Sequence, residues 1–144
     1  MREVLLGHEP ADVDVALARG QHEREDGPMV RAMITGDRGF LGRHFTAELK
    51  RRGWEVYGLD VKASSAQDCR NYFRSPGATA AGPRFDLVVH CAAVVGGRAT
   101  IDGDPLATAE SLSIDAEMFR WAAVARPGRV LYFSSSAAYP VAYQ

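Results

Sequence analysis

The chain has 144 residues, 47% of them hydrophobic, and a formal net charge of −1, which fits one globular domain with an ordinary core. The balanced charge argues against nucleic acid or an anionic membrane as a partner, and no apolar run approaches the roughly 18 residues of a membrane span. Cys69 and Cys91 are the only cysteines, and their spacing is not that of a metal site or a disulfide framework. We therefore expect a reduced, cytoplasmic protein.

The first 28 residues differ in composition from the rest of the chain. They carry seven acidic residues against three arginines. A thin apolar stripe predicts one short helix from about Pro10 to Arg24, ended by Gly27 and Pro28. We expect an acidic extension over residues 1–28, to which we assign no function, and a compact domain over residues 29–144.

The segment 31–53 predicts a strand, a glycine-rich turn and a helix. The run from Ala32 to Thr35 is short and largely apolar, as in a buried parallel strand. Gly36, Gly39 and Gly42 follow at the spacing GxxGxxG. Apolar residues then recur at helical intervals opposite a basic face, which predicts an amphipathic helix.

A strand that turns directly into a helix aims the first free N–H groups of the helix at the space above the strand's end. Those groups and the helix dipole attract an anion such as a pyrophosphate. We expect Gly36 to permit the tight turn, Gly39 to let phosphates approach the backbone, and Gly42 to let the helix pack closely on the sheet. The glycines alone are also compatible with a structural turn that binds no ligand.

A second strand is predicted from Glu55 to Leu59, and it ends at Asp60, about twenty residues after the glycine turn, where an acid can hydrogen-bond an adenosine ribose. A carboxylate there would repel a 2′-phosphate, so we expect NAD rather than NADP. Arg38 and Lys62 lie near in sequence and weaken that preference. Without the glycine turn, Asp60 would be interpreted as an ordinary turn residue.

The rest of the chain continues to alternate between helices and strands. Residues 68–74 predict a short helix, Phe85 to His90 a buried strand, Asp104 to Ala125 a long helix, and Arg129 to Phe133 a last strand. Apolar residues fall roughly on one face of the long helix: Leu106, Ala109, Leu112, Ala116, Phe119 and Ala123.

This alternation predicts an α/β fold, a doubly wound parallel sheet of about five strands joined by right-handed crossovers. Ligands of such sheets bind beyond the carboxyl ends of the strands. The glycine turn, Asp60, the small residues Ala92 and Ala93, and the serines from Ser134 onward all follow predicted strand ends. That convergence indicates a ligand site more strongly than any one motif does.

The sequence resembles the extended short-chain dehydrogenase/reductase family, specifically its NAD-dependent epimerase/dehydratase branch, which acts on nucleotide sugars. The resemblance runs from about Val30 to Pro140. Its landmarks, in order, are TGDRGFLG at Thr35–Gly42, the pair Asp68-Cys69, HCAA at His90–Ala93, and SSSAAYP at Ser134–Pro140. It implies a Rossmann-like fold, an NAD cofactor and a nucleotide-sugar substrate.

The resemblance also implies which residues bind the cofactor. The backbone near Gly39 would hold the pyrophosphate, Asp60 the ribose, and Asp68-Cys69 the adenine, while Ser113 stands where many members have a mid-helix asparagine. The implied cofactor-binding residues are Gly36, Arg38, Gly39, Phe40, Leu41, Gly42, Asp60, Asp68, Cys69, Ala92, Ala93, Ser113 and Ser134.

The resemblance places the active-site hydroxyl in the triple serine. Ser135 lies four residues before Tyr139, as in the family, and would hydrogen-bond the sugar hydroxyl or keto oxygen; Ser136 is the alternative. From the residues alone, three serines after a strand indicate a strand-end cap or an ST-turn. We interpret His90 as a packed residue at a strand end rather than as a catalyst.

Two departures limit what the resemblance implies. Asp37 stands where the family often has a small residue, so its charge beside a pyrophosphate requires an outward rotamer or compensation by Arg38. The family's base is a tyrosine followed four residues later by a lysine that lowers the tyrosine pKa. The only lysines here are Lys50 and Lys62, and neither has that spacing.

We therefore expect the cofactor-binding part of such an enzyme, inactive alone and incomplete at its C-terminal side. The alternatives are a non-catalytic dinucleotide-binding or regulatory module and a structural domain that binds no nucleotide. Because the sequence stops shortly after the strand Arg129 to Phe133, we also expect that strand to lack a covering helix. Such a chain would associate with itself or with a missing C-terminal half.

Overall fold

The structure is a computed structural model, which describes residues 29–78, 84–94 and 103–134. The predicted extension over residues 1–28 lies outside this part of the chain, and so do Ser135 and Ser136. Within the described ranges, no helix combines the length and the apolar character needed to cross a membrane.

Strands and helices alternate along the described chain as the sequence predicts, with differences only at their ends. The elements are β1 (Arg31–Thr35), α1 (Phe40–Arg51), β2 (Glu55–Leu59), α2 (Cys69–Arg74), β3 (Leu87–His90), α3 (Pro105–Ala125) and β4 (Arg129–Tyr132). Two short 3-10 turns, Ser65–Gln67 and Pro76–Ala78, flank α2.

The four described strands form one parallel sheet in the order β2-β1-β3-β4, against about five strands expected. Thr35 at the end of β1 is level with Leu59 of β2 and with His90 of β3, and His90 is level with Tyr132 of β4. The carboxyl ends of all four strands therefore form one edge, which confirms the predicted α/β architecture.

Helices cover both faces of the sheet. Successive side chains of a strand point to opposite sides, so each strand presents apolar residues to both faces. Ala32 and Ile34 of β1 are buried on one face, where they belong to the cluster around Leu49 of α1. Met33 is buried on the other face, in the cluster that includes Trp121 of α3. The sheet is therefore doubly wound.

The apolar stripe predicted along α3 lies on the outer side of that helix. Leu106, Leu112 and Phe119 are 74%, 65% and 49% exposed, whereas Met118 and Trp121 of the same helix are buried. The helix has apolar residues on both sides, so hydrophobic periodicity does not identify the side that faces the sheet.

The start of α1 packs against the glycine turn with no room for a side chain. An ideal Cβ on Gly42 would lie 2.0 Å from the carbonyl oxygen of Gly36 and 2.7 Å from the Cα of Asp37. Both are backbone atoms, so a methyl group at position 42 would force the helix away from the turn. This agrees with the close packing expected from Gly42.

We expect Gly42→Ala to lower the free energy of unfolding by about 3 kcal/mol, because overpacking typically costs about 1–3 kcal/mol. Gly103→Ala is the matched control, since among the described residues no atom outside its chain neighbours lies within 4 Å of an ideal Cβ there, and its effect should be at most about 0.5 kcal/mol. Urea unfolding followed by circular dichroism measures both. Equal stability of the two variants would contradict the close approach.

Candidate functional site

The chain leaves β1 through a turn that only glycine fits. Gly36 has a φ of +69°, and its N–H donates to the carbonyl of Leu59 at 2.7 Å. An ideal Cβ on Gly36 would lie 2.9 Å from the backbone of Cys91 and of Ala92. The prediction that Gly36 permits a tight turn is confirmed, and the same residue brings the turn against the segment after β3.

Helix α1 begins directly above the end of β1. Its N-cap residue is Gly39, in an extended conformation and without a side-chain cap. The amides of Phe40, Leu41 and Gly42 occupy the first turn, where no intrahelical acceptor exists. Positive charge from these amides and from the helix dipole is therefore directed at the carboxyl edge of the sheet.

Asp60 holds the glycine turn to the loop after β2. The residue is buried, with 6% of its surface exposed. One carboxylate oxygen accepts from the N–H of Arg38 at 2.9 Å, and the other accepts from the N–H of Lys62 at 2.8 Å. The structure thus brings Asp60 to the glycine turn as the spacing predicts, through two backbone hydrogen bonds that the sequence did not indicate.

The sequence predicts either an outward rotamer for Asp37 or compensation by Arg38. The side chain is not directed outward, and the charge of Arg38 does act to lower the pKa of Asp37. Its carboxylate lies over Gly58 of β2, where an ideal Cβ would come within 2.4 Å of its Oδ2. Burial and then the charge of Asp60 raise the pKa of Asp37, while Arg38 and Lys50 act in the opposite direction. Among the described residues, its buried Oδ1 has no hydrogen-bond partner. Gly58 makes this arrangement possible, and the sequence reasoning missed it.

A chain of polar side chains runs under the carboxyl edge. Thr35 Oγ1 lies 2.8 Å from His90 Nδ1, His90 Nε2 lies 3.2 Å from Asp115 Oδ1, and the hydroxyl of Tyr132 donates to Asp115 Oδ2 at 2.7 Å. The pKa of His90 is lowered by burial, which outweighs the raising effect of Asp115. The interpretation of His90 as a packed residue agrees with this, but its partners were not predicted, because they are far apart in sequence.

The residues after β3 form a segment, residues 91–94, that we call the rim segment. Ala92 N–H donates to Thr35 Oγ1 at 3.2 Å, and Val94 N–H donates to Ser111 Oγ at 3.0 Å. Of its predicted members, Ala92 lies against Gly36 of the glycine turn, and Ala93 is the next residue of the rim segment. Ser113, the predicted helix residue, is half-buried on α3. Ser111, which the sequence did not indicate, hydrogen-bonds the rim segment from the same helix.

Asp68 and Cys69 have neighbours that limit what they can contact. Asp68 caps α2 by accepting from the N–H of Arg70 at 2.9 Å, and hydrogen bonds from the Arg70 guanidinium lower the pKa of its carboxyl group. Arg70 is also bonded to Glu110 of α3. Cys69 is buried in the core beneath, and burial raises the pKa of its thiol to about 11. The Cys69 side chain therefore faces the core.

The other predicted residues lie at the outer part of the same edge. Phe40 and Leu41 are 73% and 42% exposed, with the Arg43 guanidinium 5.4 Å from the centre of the Phe40 ring. Arg38 and Ser134 are exposed, Arg38 in the glycine turn and Ser134 two residues after β4. The catalytic candidates Ser135 and Ser136 lie outside the described residues.

The match to a family model identifies the family of the chain. Residues 32–144 match the model of the NAD dependent epimerase/dehydratase family. The chain belongs to this family. The resemblance carried by the sequence landmarks is thereby confirmed.

Individual members of the epimerase/dehydratase family are also similar to the chain. It is 31% identical over 118 residues to a GDP-L-fucose synthase of Azorhizobium caulinodans, which covers 76% of this chain and 34% of that protein. A solved UDP-galactose 4-epimerase has a TM-score of 0.59 at 26% identity, over 76% of this chain and 40% of that one. The chain thus spans about a third of the length of the curated relative.

A second solved structure shares the fold. It is a dTDP-4-dehydrorhamnose reductase from Bacillus anthracis strain Ames in complex with NADP, with a TM-score of 0.58 and 19% identity. It covers 74% of this chain and 36% of that one.

We expect the chain to lose stability through His90 as the pH falls below about 6.5. The pKa of His90 is below its ordinary value of 6.5 in the folded chain, so the unfolded chain takes up the proton first and unfolding is favoured. His90→Gln should show a smaller loss, since its amide can accept from Thr35 and donate to Asp115 without titrating.

The measurement is the free energy of unfolding of both proteins at about pH 7.5 and about pH 5.5. Groups other than His90 titrate in both proteins, so the difference between the two losses reports on position 90. Equal losses would contradict the lowered pKa.

Proposed function

We propose that the chain binds a nicotinamide dinucleotide at the carboxyl edge of its sheet, as the cofactor-binding part of an oxidoreductase that acts on nucleotide sugars. The observation that carries the proposal is the start of α1. Its first-turn amides have no intrahelical acceptor, and Gly39 places no side chain over them. A diphosphate suits such a turn, because phosphate oxygens can approach backbone N–H groups that a side chain would otherwise cover.

The remaining parts of the dinucleotide are assigned to residues around that turn. Asp60 would accept from the adenosine ribose, since each of its oxygens has one described amide donor and a carboxylate oxygen can accept a second hydrogen bond. Ala92 and Ala93 would line the cofactor through their backbone. Arg38, Asp68, Ser113 and Ser134 are further proposed cofactor-binding residues, and Cys69, whose side chain faces the core, would contribute through its backbone.

The substrate class rests on the names of two relatives. A GDP-L-fucose synthase and a UDP-galactose 4-epimerase both carry a nucleotide sugar in their names, and we propose the same class here. When bound, the nicotinamide would supply the group that accepts or returns a hydride. Ser135, with Ser136 as the alternative, would hydrogen-bond the sugar oxygen at the reacting carbon.

We do not expect turnover from these 144 residues alone. Proton transfer in the family relies on a tyrosine with a lysine four residues later, because the ammonium group favours the phenolate. Neither Lys50 nor Lys62 follows a tyrosine at that distance. Binding of the cofactor, rather than reaction, is therefore the property to test.

We expect the chain to bind NADH, seen as a change in NADH fluorescence, and Gly39→Asp to bind it about tenfold more weakly than Gly39→Asn. The two substitutions have the same shape, and either side chain can cap α1 at this N-cap position. They differ in a negative charge placed where the diphosphate would lie.

Both variants would share one steric cost, since an ideal Cβ at position 39 lies 3.1 Å from the Gly36 carbonyl oxygen. Their unfolding curves should therefore coincide. Equal NADH affinity of the two folded variants would show that no phosphate lies at the start of α1. An unchanged NADH signal at millimolar concentration with the folded wild-type chain would refute the proposed function.

The choice between NAD and NADP depends on three residues of the glycine turn and the loop after β2. Asp60 is buried between two backbone donors, while Arg38 and Lys62, whose amides make those bonds, are both exposed. The carboxylate would repel a 2′-phosphate, and the two cations would attract it. We propose that Asp60, as the residue that would accept from the ribose, makes NAD the preferred cofactor.

We expect wild-type chain to bind NADH about tenfold more tightly than NADPH, and Asp60→Asn to lose most of that ratio. Asparagine keeps an acceptor for the turn but removes the charge. Arg38→Ala is the counterpart variant and should increase the ratio, because it removes an attraction for the 2′-phosphate. Parallel titrations with the two reduced cofactors give the ratios. A wild-type preference for NADPH would overturn this choice of cofactor but leave dinucleotide binding intact.

A further inference from the structure

We propose that Asp115 is a positioning residue, which acts through His90 and Thr35 to fix the amide of Ala92 in the rim segment. That Ala92 then supports the dinucleotide rests on the proposed function; the positioning itself does not.

The three side chains that act on the Ala92 amide come from separate elements of the fold and meet where the protein is buried. Thr35 ends β1, His90 ends β3, and Asp115 lies in the middle of α3. Thr35 is fully buried and His90 is 3% exposed, so water does not readily replace their partners. A buried polar group that loses its partner costs free energy, which makes the arrangement specific.

The Asp115 carboxylate sets the direction of each hydrogen bond in the series that runs from Asp115 through His90 and Thr35 to Ala92. An ionised carboxylate only accepts, so His90 Nε2 must carry a hydrogen toward Asp115. In a neutral imidazole Nδ1 is then the acceptor, and the Thr35 hydroxyl must donate to it. With its hydrogen used in this way, Thr35 Oγ1 is free to accept from Ala92 N–H.

Asp115 is itself held from a second side. The hydroxyl of Tyr132 donates to its Oδ2 at 2.7 Å, and the ring of Tyr132 stacks on the ring of His90, with centroids 6.1 Å apart and planes at 16°. The Phe73 ring of α2 lies on His90 as well, at 6.4 Å. Among the described residues, the titratable groups that face His90 from its neighbouring elements are Asp115 and Tyr132.

The opposite tautomer of His90 would disrupt this series of hydrogen bonds. With a hydrogen on Nδ1, the bare Nε2 would face the Asp115 carboxylate, two acceptors at 3.2 Å. Thr35 would then receive two donors, from His90 and from Ala92, and its own hydroxyl hydrogen would need another acceptor. Asp115 thus selects the state in which the Ala92 amide keeps its partner. No local sequence pattern indicates this role, because Asp115 lies 25 residues from His90.

The first test reads the tautomer of His90 directly, by nitrogen-15 NMR of the chain at about pH 7.5, which is above the ordinary pKa of histidine. We expect a neutral ring with its hydrogen on Nε2 in wild type and in Asp115→Asn, whose amide oxygen can still accept. In Asp115→Leu we expect a mixture of tautomers. Tyr132→Phe is the control, since it leaves the bond between Asp115 and His90 in place.

Asp115→Asn also provides a second measurement, the pKa of His90, which tests the proposal even if Asp115→Leu does not fold. Asparagine keeps the hydrogen bond and removes the charge that raises the pKa of His90. We therefore expect the pKa of His90, followed by the same NMR signals, to fall below its wild-type value in Asp115→Asn.

The second test measures hydrogen exchange at the amide of Ala92. We expect exchange about tenfold faster in Asp115→Leu than in wild type, and little change in Asp115→Asn or in Tyr132→Phe. A general loss of structure would speed exchange at the buried amides of β1 as well, so the ratio of Ala92 to Met33 is the quantity compared. Unchanged relative exchange at Ala92 in folded Asp115→Leu would overturn the proposal, and so would an Nδ1–H tautomer in wild type.

The third test is the affinity for NADH. We expect it to weaken about fivefold in Asp115→Leu and by less than about twofold in Asp115→Asn. If wild type binds no NADH while the tautomer and the exchange are as expected, the proposed function fails and the positioning of Ala92 stands. If wild type binds NADH and Asp115→Leu binds it equally well, the link from Asp115 to the cofactor fails.

Discussion

The fold depends on the close contact of the glycine turn with backbone on three sides. Gly36 donates to Leu59 at the end of β2, approaches the backbone of Ala92 after β3, and has its carbonyl oxygen against Gly42 of α1. Because no side chain fits at these contacts, α1 starts directly over the central strand. The same closeness that packs the helix leaves its first amides facing the edge where the strands end, so one constraint on packing also creates the polar character of the edge.

Three carboxylates near this edge have different surroundings. Asp60 accepts from two backbone amides, Asp115 accepts from a phenol and an imidazole, and Asp37 is turned back onto β2. None of the three side chains caps the start of α1, whose N-cap is Gly39. The acidic side chains therefore leave the first-turn amides of α1 uncovered, and those amides remain available to an anion.

Short-range patterns allowed the elements and the position of the edge to be predicted, whereas contacts between distant residues were not predictable. The apolar run of β1 and the glycine spacing each lie within a few residues, and both indicate a local structure with few alternatives. The orientation of α3 was not predictable, because Leu112 and Met118 are equally apolar and only packing against the sheet distinguishes them. The bond between His90 and Asp115 likewise joins elements whose relative placement is set by the whole fold. The serines proposed for catalysis, Ser135 and Ser136, lie outside the described residues, so their role stays a prediction.

The position of Asp37 over Gly58 makes two residues that are 21 apart interdependent. A side chain at 58 and a carboxylate at 37 would occupy the same space, because an ideal Cβ and the Asp37 Oδ2 are separated by 2.4 Å. Related sequences should therefore show reciprocal size at the two positions, with a larger residue at 58 where 37 is small. Replacing Asp37 with a small residue would open a void beneath the turn. A larger side chain at position 58 of β2 could fill that void, so the two positions would have to be changed together.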